Sequence, residues 1–568
     1  MPRQPILLSA ILLVSVMGVA TAQTGTDSAA NIKAHMAFLA DDRLKGREAG
    51  TPEYDIAADY VAGQMKTLGL KPMGEKGGYF QTVPLAAARA KDEGKLALKD
   101  ASGKIMPLAF GKDYVAGGDE AFPRIRIDAP LVFVGYGLVA PEHGRDDYKG
   151  LDVKGKIVVA LAGAPKFLQT EERAYYRTGS TKLKAAKDRG AVGYVSLTTL
   201  TGEKLYPFAN RVRQYKSWGM SWRMKNGKAF TQVELPLLAG ISPDGAKRFL
   251  GGKADAILAQ AETSKGEVKG FDLNMSLSAA LDSETKTIDS RNIVGLLPGS
   301  DPKLKDEYIV LSAHLDHIGV TPPVKGSKDT INNGALDNAA GVATTLEAAR
   351  LFGGKPARRS LIFLVDTAEE KGLIGAEYFA RNPPVPISQI VADVDLDMPI
   401  LTYDFTDVVA FGADRSSVGP AVKRAAARLN IKLSPDPMPD EGVFTRSDHY
   451  RFVEQGVPAV FVMTGFANGG EKAFQTFLKT NYHKPSDDLK QPIDYQAGAK
   501  FARLNYEITR ELADADARPA WNKGDFFGTK FGRKKYLAPW RLLWRRLRQS
   551  ADFPQAFYDH IWWRRHAG

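Results

Sequence analysis

At 568 residues, 44% hydrophobic and 25% charged, the chain is long enough for two to four domains and is neither collagen-like, repetitive nor wholly disordered. The absence of cysteine excludes disulfides, thiolate ligands and cysteine nucleophiles, so any metal must be held by His, Asp and Glu. The net charge of +12 is uneven: residues 518–568 hold 12 Lys/Arg against three acids, so the nearly balanced remainder gives no argument for nucleic acid.

In chain order, residues 1–22 read as a signal peptide. Arg3 supplies the positive start, ILLSAILLVSVMGVA the apolar stretch and ATA the small-residue cleavage site. The stretch is short for a membrane span and a polar segment follows, which predicts removal and a periplasmic or secreted protein. Ile56, Ala57, Tyr60, Val61, Met65 and Leu68 then recur at helical spacing, and Gly69 is placed to stop that helix. From about Pro130 short β-rich runs bounded by glycine (PLVFVGYG, GKIVVALAG) suggest a compact unit ending near residue 270.

After Thr285 the strand-like runs YIVLSAH, SLIFLVD, QIVADVDLD and PAVFVMT alternate with helical segments, ending in the long QAGAKFARLNYEITRELA. This rhythm predicts an α/β fold with a mostly parallel central sheet flanked by helices, whose ligands bind beyond the carboxyl ends of the strands. The basic tail places Trp540, Leu543, Trp544 and Leu547 on one helical stripe. It reads either as a helix making weak contact with an anionic membrane surface or, the favoured alternative, as an extension docked on the body or poorly ordered.

Polar residues collect at the predicted strand ends. His314 in AHLDHIG is the first candidate metal ligand, and Asp316, two residues on, is placed to accept its other ring N–H. His317 reads as facing the other way, packing or meeting solvent. Asp337 opens a helix, where an Asp is most often a cap; its place one strand–helix step after His314 favours a ligand. Glu369 and Glu370 point apart as neighbours do, so one can bind metal while the other faces an attacking water as general base. Asp393, Asp395 and Asp397 share one face at period two. His483, beside Tyr482, is a lone loop histidine that gains weight only from the set. Ser447-Asp448-His449 invites a serine-hydrolase reading, but without G-x-S-x-G it is read as structural or pocket-lining.

In order, the motifs HxD, (A/L)DN, EE, (N/D)LDM and YHxxxD resemble the M28 family of zinc peptidases, co-catalytic aminopeptidases and their relatives. The segments FLADDRLKGREAGTPEYDIAADYV and SDHYRFVEQGVPAVFV are similar to further parts of that family. The resemblance implies a peptidase domain over 31–124 and 271–515, an inserted protease-associated (PA) domain over 125–270, and an extension over 516–568 outside the family pattern. It implies two zinc ions bridged by Asp337, one held by His314 and Asp397, the other by Glu370 and His483. Glu369 would be the general base, Asp316 the partner of His314, and Tyr482 an oxyanion stabiliser. Asp395 stands where the family usually has Asn, and MP follows Asp397 where it has a glycine turn, so Asp395 remains an alternative to the preferred Asp397.

The expected activity is that of an exported zinc aminopeptidase acting on peptides, with no nucleic-acid partner. A carboxypeptidase, a glutaminyl cyclase-like enzyme and a non-catalytic peptide-binding ectodomain are the alternatives. Acidic and basic residues both lie near the motifs, so the sequence does not decide which peptide end is held.

Overall fold

The structure, a computed structural model, describes residues 27–263, 265–323, 328–353 and 355–532. The expected signal peptide and the Trp540 stripe lie outside them. No helix among the described residues is long and apolar enough to cross a membrane.

Two sheets share one strand. The first runs in the order 219–222, 80–90, 271–297, 360–366, 308–314, 390–395, 459–464, 407–411, 432–434. Its four central strands, 360–366, 308–314, 390–395 and 459–464, are mutually parallel, and 271–297 and 407–411 flank that group antiparallel to it. These four central strands are near-continuous apolar runs buried on both faces, as a helix-covered parallel sheet requires. Helices Ala340–Phe352, Val418–Arg428 and Tyr495–Asp514 pack together, and Ile374–Arg381 pairs with His449–Glu454.

The helix expected before Gly69 is Pro52–Thr67. Thr51 caps it by accepting from the Tyr54 N–H, Pro52 opens the first turn, and Gly69 (φ +74°) follows its end. Its buried face is Tyr54, Ala57, Ala58, Val61, Ala62 and Met65. Ile56, assigned to that face from spacing, is exposed because the small alanines and Tyr54 turn the stripe by one position.

The β-rich unit differs from its sequence reading at both boundaries. Its sheet runs 105–107, 95–100, 271–282, 124–133, 157–161, 193–197, 237–241, 114–115. It therefore takes in strands ahead of residue 125, and the 27-residue strand Phe271–Leu297 pairs first with this unit and then with Phe80–Ala90. The polar SETKTIDS stretch hid that continuity: it pairs with 83–90 through its backbone while its side chains stay largely exposed. In the other direction, Gly219–Trp222 leaves the unit to extend the first sheet beside Leu85–Ala88.

The first residues of the extension dock on the body. Trp521 bridges to Ser416 and donates its indole N–H to the Gly456 carbonyl (3.1 Å), and Phe527 is fully buried in the short helix Phe526–Lys530. Phe526 packs on Tyr175 and Tyr176 of the inserted unit, so this segment links the two units.

Candidate metal centre

The carboxyl ends of the central strands deliver the site. His314 is the last residue of 308–314, paired in register with Asp366. Glu369 and Glu370 lie in the turn after 360–366, and Asp397 lies two residues past 390–395. Asp337 sits in the irregular turn Ala335–Ala339 ahead of helix 340–352, reached by a cis Asp337–Asn338 peptide. Gly334 (φ +58°) and Gly341 are needed there: a Cβ would collide with the Asp337 carbonyl and with Asn338 Oδ1 respectively. His483 comes from the loop between helices 470–480 and 495–514.

The donor directions are informative. His314 Nδ1 lies 3.1 Å from the Asp316 main-chain carbonyl, which can only accept, so Nδ1 carries the proton. Its Nε2 faces Asp397 Oδ1 at 3.0 Å and Asp337 Oδ1 at 3.4 Å, with Glu369 Oε2 at 4.0 Å. The other oxygen of Asp337, Oδ2, is 3.4 Å from His483 Nε2, which is 3.1 Å from Glu370 Oε2. Each oxygen of Asp337 thus faces its own histidine and its own acid.

Electrostatics show the same crowding. Burial pushes the Glu369 carboxyl well above the usual carboxylate range, and the charges of Asp397, Asp448 and Glu370 add to this against His314. Burial would lower His314, but the carboxylates of Asp397, Glu369 and Asp337 hold it well above its usual value. Burial works against ionisation of Asp337 and Glu370 too. Hydrogen bonds from His314 and His483 nonetheless hold Asp337 well down, and the charges of His483 and His317 bring Glu370 to about 2. Buried carboxylates crowded together need cations among them, whether protons on the histidines or metal ions in their place. Their nitrogen and oxygen donors suit zinc, and His314–Asp337–Asp397 and His317–Asp337–Glu370 each bring three ligand atoms within 4.8 Å of one another.

Several assignments change. The Asp316 side chain is not the acceptor for His314; the backbone carbonyl of Asp316 is. Its carboxylate instead accepts the N–H groups of Glu369 (3.1 Å) and Glu370 (3.3 Å), fixing that turn. His317 is fully buried, and its Nδ1 lies 2.7 Å from Glu370 Oε1. The strand ends at His314, so the alternation that pointed His317 away does not extend to it. Asp395 lies behind the site, accepting from the hydroxyls of Ser312 (3.2 Å) and Ser447, whereas Asp397 faces His314. Tyr482 lines the cleft with its ring stacked on His483 at 3.9 Å between centroids.

Three supports were not singled out from sequence. Asp487, in the same YHKPSD run as His483, accepts the backbone N–H groups of Leu336 and Asp337, both at 3.0 Å. Asn338 ties the Asp337 turn to the Asp397 segment through the Leu396 carbonyl (3.0 Å) and the Met398 N–H (3.2 Å). Arg47, fully buried, donates to the carbonyls of Leu39, Leu315, Asn333 and Gly334, and burial lowers it to about 10.

Residues 292–509 match the profile described as Peptidase family M28. The region carrying the site belongs to that family. A "Probable zinc metalloprotease" of Pyrenophora tritici-repentis is 32% identical over 264 residues, 41% of this chain and 59% of that protein. Aminopeptidase Y of Saccharomyces cerevisiae is 27% identical over 232 residues, 39% of this chain and 38% of its own length. The chain thus spans 59% of the length of the first of these curated relatives and 38% of the second. Among solved structures, an aminopeptidase from Aneurinibacillus sp. strain AM-1 aligns over 87% of this chain and 95% of its own, with 21% identity and a TM-score of 0.48.

Proposed function

We propose that the chain is a zinc aminopeptidase that removes N-terminal residues from peptides, with two ions per chain. The observation that carries this reading is the division of Asp337: Oδ1 turns to His314 and Oδ2 to His483. A carboxylate so placed can serve two ions at once, where a neutral imidazole has one free lone pair. His314 and Asp397 would hold one ion, Glu370 and His483 the other, with His317 steadying Glu370 from behind. When bound, zinc makes water acidic enough to attack near neutral pH and polarises the carbonyl.

The remaining work falls to the chain. Glu369, as its carboxylate, accepts the attacking water's proton and hands it to the leaving amine. Tyr482, at the cleft wall beside His483, is placed to donate to the carbonyl oxygen as it gains charge. The Asp316 carboxylate keeps Glu369 and Glu370 in their two directions. Apolar side chains lining the cleft, among them Met398, Met463, Phe474 and Leu478, favour an apolar substrate side chain. The leader-like residues 1–22 support a role outside the cytosol, and residues 125–270, with the earlier strands that join their sheet, would form a PA-like flank to the cleft.

The test is a zinc titration of the metal-free chain, assayed in parallel on free, N-blocked and C-blocked peptides. Activity that appears at about two ions per chain and requires a free N-terminus is expected. Equal hydrolysis of N-blocked peptides, or saturation at one ion, overturns the proposal.

A further inference from the structure

Beside the metal cleft lies a second cavity, in the inserted unit, and the two share the wall made by Leu205 and Tyr206. Its lining is cationic: Lys166, Arg173, Arg177 and Arg211 face only two acids, Glu262 and Asp440. Those acids are engaged, Glu262 by Lys166 at 3.4 Å and Asp440 by Arg173 at 3.1 Å. Among the described residues Arg177 and Arg211 form no direct ion pair, although the charges of Glu441 and Glu203 act on them respectively. Arg177 donates to the Asp440 main-chain carbonyl at 2.6 Å, and Arg211 reaches only the Thr198 hydroxyl at 3.4 Å. Both are largely desolvated, which lowers their proton affinity, and the neighbouring Arg446 lowers Arg177 further. Guanidinium groups drawn partly out of water and not paired directly with a carboxylate favour an anion, and a planar carboxylate fits their donor fork.

The wall between the cavities is also polar. Tyr206 donates its hydroxyl to Glu441 (3.1 Å), Arg446 donates to the same carboxylate (3.0 Å), and the Arg446 guanidinium lies 5.5 Å from the Tyr206 ring centre. Arg446 and Glu441 also line the metal cleft, so this ion pair stands between the reacting groups and the inserted unit.

We infer that the Arg177–Arg211 cavity is a subsite for a carboxylate on the leaving portion of the substrate, making the inserted unit a selector for short peptides or for peptides with an acid beyond the cleaved bond. The inference rests on the peptidase reading above. A peptide anchored by its N-terminal residue in the metal cleft would extend past Tyr206, and a chain that ends there presents its C-terminal carboxylate to Arg177 and Arg211. Tyr206, from the inserted unit, would set how far the chain must reach.

The experiment uses the full zinc-loaded chain and a series Leu-(Ala)n with n from 1 to 4, each as free acid and as C-terminal amide, plus amidated peptides with one Asp at successive positions. At one length the acid is expected to exceed its amide about tenfold in kcat/KM, chiefly through KM. An internal Asp at the matching position should restore the amide only if a side-chain carboxylate also serves. In Arg177→Gln and Arg211→Gln the acid-to-amide ratio should fall toward one. A ratio that is flat across all lengths, or unchanged in both variants, overturns the subsite. Leucine amide separates the two readings: if it is cleaved with zinc while the length series is flat, only the subsite fails. If it is not cleaved at all, the peptidase reading fails with it.

Discussion

Glu369 and Glu370 are chemically identical neighbours given opposite tasks by what surrounds them. Against burial, Glu370 is held ionised by two histidines; burial draws Glu369 toward protonation, and its neighbouring acids outweigh His314. Glu369→Gln keeps the shape and removes the base. Turnover should fall about 10²–10⁴-fold while bound zinc, measured by metal analysis after dialysis, stays the same. Asp487 is a complementary case, since it touches no ligand-bearing side chain. In Asp487→Asn one oxygen becomes an NH2 facing a backbone N–H, so the turn that presents Asp337 loses one of its two anchors. Zinc affinity by competition with a chelator is expected to drop about 10–100-fold, with far-ultraviolet circular dichroism unchanged. Sequence carried much of this scale. The ligand-type residues stand out because acids and histidines recur just past apolar strands. What it hid were bonds made by the backbone, such as the Asp316 carboxylate taking two N–H groups 53 and 54 residues away. Side-chain type says nothing about which main-chain groups need a partner.

Among the elements, the strand Phe271–Leu297 matters most, because it belongs to both sheets. The alternation of strand and helix after residue 285 was legible, since buried parallel strands must be apolar throughout. The boundaries of the inserted unit were not, because a strand that changes partners need not change composition. Removal of 125–270 alone would strip strand 124–133 from 271–282 and strand 237–241 from 114–115, and also take 219–222 from the edge of 80–90. Such a chain should aggregate on expression, judged by the soluble fraction. A cut from 91 to 282 with a short linker removes the second sheet whole and is expected to yield more soluble protein. Equal solubility of the two would contradict the shared-strand account.

For the whole molecule, the centre makes stability depend on metal and pH together. In the metal-free chain the native carboxyl of Asp316 is raised by burial to about 6, and that of Glu369 is also raised, so both favour the fold at low pH and lose that contribution as pH rises through their native values. His483, raised to about 10 by its acids against burial, stabilises below its ordinary value and loses this as pH climbs toward 10. Glu370, lowered to about 2, already contributes fully above its ordinary value. These terms at the centre run the same way between pH 5.5 and 8 and outnumber the opposite contributions of His35 and Lys182, which burial lowers: the chelator-treated protein should melt at a lower temperature at pH 8. Zinc competes with protons for these groups, so the rise in Tm on adding zinc should be larger at pH 8 than at pH 5.5. Calorimetry in matched buffers checks this, and an equal rise at both values would count against a centre built from these residues.

The shared strand also has a bearing on how the chain is made. On a ribosome, Phe80–Ala90 emerges roughly two hundred residues before the segment it pairs with, since Phe80 meets Ile293 and Ala90 meets Ser283. Strands 95–100 and 124–133 wait on the same late arrival. Neither half can close while translation is short of that point, so nascent chains must pass through a long interval with open β-edges, when protection by a chaperone matters most.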